Sequence, residues 1–173
     1  MDRVLKKHFD NFRTKKTLPP ELSELKDGTE LFINAGLMKK WRNNFRGLEW
    51  TDTKGNLLHG AIDDMLIRNG KLIVLDYKTR GYPLKEYTHL HYQNQLNLYN
   101  FLLQKNGYKT ESFGYLLFYH PTSVRESGEV VFQSDLIKMK TNTKDAEKLF
   151  KNAIKCLEGE EPSPSKNCEY CND

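Results

Sequence analysis

Two apolar runs, Met65-Leu66-Ile67 and Leu72-Ile73-Val74-Leu75, flank Asn69-Gly70 and form the clearest pattern in the chain. An Asn-Gly pair between such runs signals a two-residue hairpin turn, because both turn positions need positive φ. If Arg68 pairs with Lys71, Ile67 faces Leu72, Met65 faces Val74 and Asp63 faces Asp76. Upstream, residues 2–13 place Val4, Leu5, His8, Phe9 and Phe12 on one side of a helix, a stripe interrupted only by His8, which from periodicity alone reads as a core-edge histidine with a hydrogen-bond partner. Residues 14–20 read as a basic, proline-terminated loop. Residues 27–45 read as a second helix, with Asp27 as N-cap and Leu31, Ala35 and Met38 on one face. Its end, residues 39–44, mixes cations with Trp41, a mixture that can grip a phosphate backbone and stack a base but is more commonly a solvated helix terminus.

Residues 47–53 suggest an edge strand, and a turn at Lys54-Gly55-Asn56 leads into the strand expected to carry Gly60 and Asp63. Beyond the hairpin, Gly81-Tyr82-Pro83 breaks the sheet and a helix is expected over 85–105, stopped by Asn106-Gly107. Tyr92, Leu96, Tyr99 and Leu103 follow the spacing of a buried face, and Gln95 falls within the same stripe, one turn from Tyr99. Residues 113–120 and 129–140 predict two more strands. A last helix follows, with Thr143 as N-cap and Ala146, Leu149, Phe150, Ala153, Ile154 and Leu157 buried. The organisation expected is one core domain over 1–160 and an extended tail over 161–173, without repeats or low-complexity tracts.

Composition narrows the class. The 173 residues, 38% of them hydrophobic, suffice for one domain with a real core. Lys and Arg number 27 against 23 Asp and Glu, and the net charge of +4 permits a polyanionic partner without demanding one. No apolar run approaches the ~18 residues that span a bilayer, and the N-terminus has no apolar signal core, so the expectation is a cytoplasmic protein without a membrane partner. The odd number of cysteines, Cys156, Cys168 and Cys171, argues against a disulfide framework. Cys156 reads as a small packed side chain.

The chemistry converges on the hairpin. Directly opposed residues have Cβ atoms about 4.5–5.5 Å apart, so Asp63 facing Asp76 is a destabilising like-charge pair unless something positive lies between them. Lys78, two residues past Asp76, shares its face. Hard oxygen ligands suit Mg²⁺ or Mn²⁺, and zinc is disfavoured because no Cys or His cluster adjoins them. A cation there can activate water and neutralise an oxyanion, with Lys78 stabilising charge on phosphorus, the components of phosphodiester hydrolysis. Asp64 points to the opposite face.

Gly60-Ala61-Ile62-Asp63, Asp76-Tyr77-Lys78 and Gln95 to Tyr99 resemble the GxxD, DxK and QxxxY motifs of the RecB-type branch of the PD-(D/E)XK nuclease superfamily, in the same order. The resemblance implies an α/β restriction-endonuclease-like core, a mixed β-sheet flanked by helices on both faces. It assigns metal binding to Asp63 and Asp76, assistance of attack to Lys78, and site lining or contact with the nucleic-acid backbone to Gln95 and Tyr99. Such nucleases also take an acidic residue or a histidine from an upstream helix, which makes His8 the candidate third metal ligand and His59 its rival. Some relatives hold a four-iron cluster on four cysteines. Cys168-Glu169-Tyr170-Cys171 resembles part of that site, but three cysteines cannot complete it, so no iron–sulfur cluster is expected.

The function expected is a Mg²⁺- or Mn²⁺-dependent DNA nuclease, of exonuclease or of repair and recombination type, acting on single- or double-stranded DNA alone or within a larger repair or recombination complex. The alternative is a non-catalytic nucleic-acid-binding or scaffold module with the same fold, which predicts salt-sensitive DNA binding without metal-dependent turnover. The intact Asp63, Asp76 and Lys78 set favours the enzyme.

Overall fold

The computed structural model of the protein describes residues 1–25, 27–161 and 163–164. In chain order these form α1 (Asp2–Lys15), β1 (Glu30–Leu31), α2 (Ala35–Trp41), β2 (Leu48–Thr51), β3 (Leu57–Gly60), β4 (Asp64–Arg68), β5 (Lys71–Thr79), α3 (Gln93–Lys105), β6 (Phe113–Val124), β7 (Val130–Lys140) and α4 (Thr143–Leu157). The hairpin forms in the expected register, with Arg68 opposite Lys71 and Met65 opposite Val74. Asn69 and Gly70 both take positive φ, as the turn demands.

Five strands make one mixed sheet in the order β1-β4-β5-β6-β7. Only β5 and β6 run parallel, and α3 lies in the chain between them, the kind of crossover that a parallel pair requires. Alternation along the strands then divides the interior in two. Met65, Leu72, Val74, Leu116 and Phe118 face a core filled by Met38 and Trp41 of α2 and by Leu96, Leu102 and Leu103 of α3. Leu66, Ile73, Leu75, Tyr77, Tyr115, Leu117 and Tyr119 face a second core containing Leu5 and Phe9 of α1. Helices therefore cover both faces of a mixed sheet, the restriction-endonuclease-like architecture that the resemblance implies. The last helix, α4, joins through Phe150, whose ring meets Trp50 at 5.5 Å.

Several local expectations are corrected. No helix starts at Asp27. Gly28 sits at φ +77°, Glu30 and Leu31 pair with Ile67 and Leu66 as β1, and Asp27 instead accepts hydrogen bonds from Thr29 and Arg68. The second helix starts only after Asn34, whose side chain accepts from the Leu37 N–H at 3.0 Å. Its end is solvated at Lys39, Lys40, Asn43 and Asn44, as expected, but Trp41 is buried and Arg42 is engaged in ion pairs. Gly60 and Asp63 do not share a strand. β3 pairs with β2 in a separate two-stranded sheet, and the chain changes sheets over residues 61–63.

At α3 the regular helix begins at Gln93, after one 3₁₀ stretch over Thr88–Tyr92. The cap of α4 is Asn142, which accepts from the Lys144 N–H at 3.0 Å, and Thr143 is the first helical residue. Val4, Leu149, Ala153 and Leu157 are exposed, because the helices bury narrower stripes than the spacing suggests. Cys156 is exposed rather than packed, six residues beyond Phe150 and so turned well away from its buried side. The Cys168 to Cys171 segment lies outside the described residues.

Candidate active site

β5 delivers the central pair. Asp76 and Lys78 continue the alternation of Leu72 and Val74, so both point to the α3 side of the sheet. Asp76 is 1% exposed. The Lys78 ammonium lies 2.5 Å from Asp76 Oδ2 and donates to Gln95 Oε1 at 2.8 Å. It also sits 4.5 Å above the ring centre of Tyr92, a cation–π contact. Gln95 in turn donates through Nε2 to the Tyr99 hydroxyl at 2.9 Å. Asp76, Lys78, Gln95 and Tyr99 are thus one chain of contacts running from the sheet along one turn of α3.

Asp63 completes the acidic pair from the segment before β4. Continuing the β4–β5 register by one residue sets it opposite Asp76, and its Oδ2 accepts the Tyr77 N–H at 3.1 Å. Its Oδ1 lies 3.0 Å from the ammonium of Lys6 on α1, and its carbonyl accepts from Arg42 Nε at 2.7 Å. Three elements therefore hold one short loop. Gly60 is required by the same packing: a Cβ there would stand 3.0 Å from the Tyr99 ring and 3.2 Å from Leu102. A Cβ on Gly47 would meet the Gly60 carbonyl at 2.2 Å, so both glycines permit β3 to lie against its neighbours.

Electrostatics follow from burial. Desolvation raises the Asp76 carboxyl to about 6, against the pull of Lys78 and with a further push from the negative charge of Asp63. Tyr99 is raised to about 12, mainly by burial and then by Asp76, with Asp63 adding to it. For Lys6, burial lowers the pKa, but the hydrogen bonds and charges of Asp2 and Asp63 outweigh it and the net direction is upward. Both carboxylates are thus felt at Tyr99, and each has a lysine beside it.

Among the described residues, no three His, Cys, Asp or Glu side chains gather as a metal-binding group. Two carboxylates with hard oxygens do meet, and Asp76 Oδ2 is buried without a hydrogen bond even though the Lys78 charge is near. Such an oxygen can still act as a ligand. The donor set fits a Mg²⁺- or Mn²⁺-like cation that takes its other ligands from water and substrate.

His8 is not drawn to this pair. Its Nε2 lies 3.0 Å from Glu21, and its ring packs edge-on against Phe12 at 5.1 Å. At about 100° per residue, His8 and Lys6 point to nearly opposite sides of α1, and Lys6 is the one that reaches Asp63. His59 lies on β3 in the separate sheet, opposite Glu49.

Sequence reasoning missed the ionic knot behind the site. Asp64, fully buried, accepts from Arg13, from Arg42 at 2.8 Å, from the Tyr77 hydroxyl at 2.5 Å and from the Met65 N–H at 2.7 Å. Asp10 bridges both arginines, and Arg13 Nε donates to the Phe32 carbonyl at 2.7 Å. Every carboxylate oxygen of Asp64 is used, and so is each guanidinium, so the knot is structural: it ties α1, α2, β4 and β5 together beneath Asp63. A signal for it was present, since Leu5, Phe9 and Arg13 recur at a helical spacing of four and form the buried stripe of α1.

Among known proteins, the family model described as the PD-(D/E)XK nuclease superfamily matches residues 1–172. No curated protein matches the sequence. A solved structure described as "Crystal structure of SSO0001" is 21% identical, with a TM-score of 0.40 over 79% of this chain. The match covers 62% of that structure's chain. Among the described residues, no helix is long and apolar enough to cross a membrane.

Proposed function

The chain belongs to the PD-(D/E)XK nuclease superfamily, and from that premise we propose that it is a RecB-type deoxyribonuclease dependent on Mg²⁺ or Mn²⁺, of exonuclease or of repair and recombination type. The observation that carries this reading is the contact chain from Asp76 through Lys78 and Gln95 to Tyr99, with Asp63 across from Asp76. Residues 1–160 act as the nuclease core in this reading.

Each side chain has a role that its surroundings support. Asp63 and Asp76 hold the divalent cation. When bound, that cation supplies Lewis-acid stabilisation of a phosphodiester and activation of water. Asp76 meets it from an almost dry position, which strengthens its attraction for positive charge. The Lys78 ammonium, steadied by Gln95 and the face of Tyr92, offers positive charge to the non-bridging phosphate oxygens as they gain charge. Tyr99 stays protonated at any working pH and offers its O–H to a backbone oxygen. Between Lys78 and Gln95 the chain exposes Tyr82, Tyr87 and Leu90, with the Arg80 guanidinium stacked over Tyr82 at 4.6 Å. Aromatic rings and cations together suit bases and phosphates of DNA.

The test is cleavage of labelled single- and double-stranded DNA during Mg²⁺ and Mn²⁺ titrations. Wild-type protein is expected to cleave, and Asp76→Ala and Lys78→Ala are not. Equal metal-dependent cleavage by all three removes the assignment. Salt-sensitive DNA binding without turnover by wild-type protein points instead to a binding or scaffold module of the same fold.

A further inference from the structure

Two ammonium groups stand on the carboxylate pair, and they are held very differently. Lys78 is fastened by Asp76, by Gln95 and by the face of Tyr92. Among the described residues, Lys6 has only carboxylate partners: Asp63 Oδ1 at 3.0 Å, and Asp2, one turn earlier on the same helix, at 2.9 Å. Asp2 is well exposed and sits outside the site. Asp63 itself does not depend on Lys6 for its position, because the Tyr77 N–H holds its other oxygen and Arg42 holds its carbonyl.

From this asymmetry we propose that Lys6 is a displaceable counter-ion of the metal site. Its ammonium covers Asp63 Oδ1 and yields that oxygen to a divalent cation by withdrawing onto Asp2. The withdrawal needs only side-chain rotation, since Asp2 already shares the ammonium, so one ion pair survives the exchange. A lysine that neutralises the acidic pair relieves the like-charge repulsion between Asp63 and Asp76 and at the same time competes with the metal for one ligand. Lys6 is a positioning residue in this account: it sets how tightly the cation is held and does not touch substrate. The inference rests on Asp63 and Asp76 being the metal ligands.

The experiment measures Mn²⁺ binding to the full chain by electron paramagnetic resonance of free Mn²⁺, at fixed pH and ionic strength and without DNA. Lys6→Met keeps the length of the side chain and removes its charge, and is expected to tighten Mn²⁺ binding by on the order of tenfold. Lys6→Arg keeps the charge and is expected to remain near wild type. Asp2→Asn is expected to weaken binding several-fold in wild-type protein, because the ammonium loses its place of retreat, and to change it far less when Lys6 is already methionine.

Binding that is unchanged or weaker in Lys6→Met, or tightened equally by Lys6→Arg, overturns the proposal. Asp76→Asn separates the two levels of inference. If it abolishes Mn²⁺ binding while Lys6→Met has no effect, the metal site stands and the role of Lys6 falls; if binding ignores Asp76→Asn, the metal-site reading falls too. Circular dichroism melting of each variant shows that the comparison is made on folded protein.

Discussion

Gly60 and Tyr99, residues from two different motifs, are packed so closely that one added carbon atom would press them apart: a Cβ on Gly60 would lie 3.0 Å from the tyrosine ring. Gly60→Ala must therefore shift the ring whose hydroxyl accepts from Gln95. Overpacking of this kind costs about 1–3 kcal/mol. We expect a lower urea midpoint with an unchanged slope, together with reduced cleavage in the folded fraction.

Asp76 predicts a pH dependence of stability. Its carboxyl is raised to about 6 in the folded protein, against about 4 in an unfolded chain. The folded state therefore binds more protons between those values. The stability that this group contributes is present below about pH 4 and is lost as pH rises through 6. The separation corresponds to about 3 kcal/mol at most. In chelator, Asp76→Asn should be more stable than wild type at pH 8 by an amount of that order, and the difference should vanish near pH 4. Urea unfolding at the two pH values checks it.

The buried knot predicts the opposite for its neighbour. Asp64→Ala leaves Arg13 and Arg42 without their shared buried carboxylate, a loss of about 3–5 kcal/mol. Tyr77→Phe removes one hydrogen bond to Asp64 and should cost about 1–2 kcal/mol. Neither effect should depend on added metal, whereas substitutions at Asp63 should alter Mn²⁺ binding. Chemical denaturation beside a metal titration separates the two adjacent aspartates.

Lys78→Met should lower cleavage by about 10²–10³-fold, the scale for loss of one group that stabilises transition-state charge. Tyr99→Phe keeps the ring against Gly60 and loses only the hydroxyl, so a smaller fall of about tenfold is expected. Single-turnover cleavage at saturating metal measures both. The order of the two effects is the informative result.

The hairpin, its register, the α3 stripe and the two long strands β6 and β7 were legible because each rests on local rules: turn chemistry at Asn69-Gly70, and periods of two or 3.6. The Asp76, Lys78, Gln95 and Tyr99 cluster followed from those periods plus a resemblance. What escaped depended on partners distant in the chain. Glu30 and Leu31 look helical until β4 offers them a strand partner, and Arg42 looks solvated until Asp64 and Asp10 are placed beside it. His8 looked like the polar residue that α1 turns toward the site. Glu21 takes it, and Lys6, which no apolar stripe singles out, reaches Asp63 instead.

The loop bearing Asp63 also bears on how the protein is made. Its three anchors come from α1, α2 and β5, and α1 reaches the sheet through Phe9 against Tyr77, 68 positions apart in the chain. During synthesis the first helix leaves the ribosome long before the strand it packs on. Asp63 cannot face Asp76 until β5 has emerged, and Lys6 cannot reach Asp63 until α1 has docked, so the full arrangement forms late in the growth of the chain. If the proposed nuclease reading holds, the topology by itself delays the cutting site until the chain is largely made.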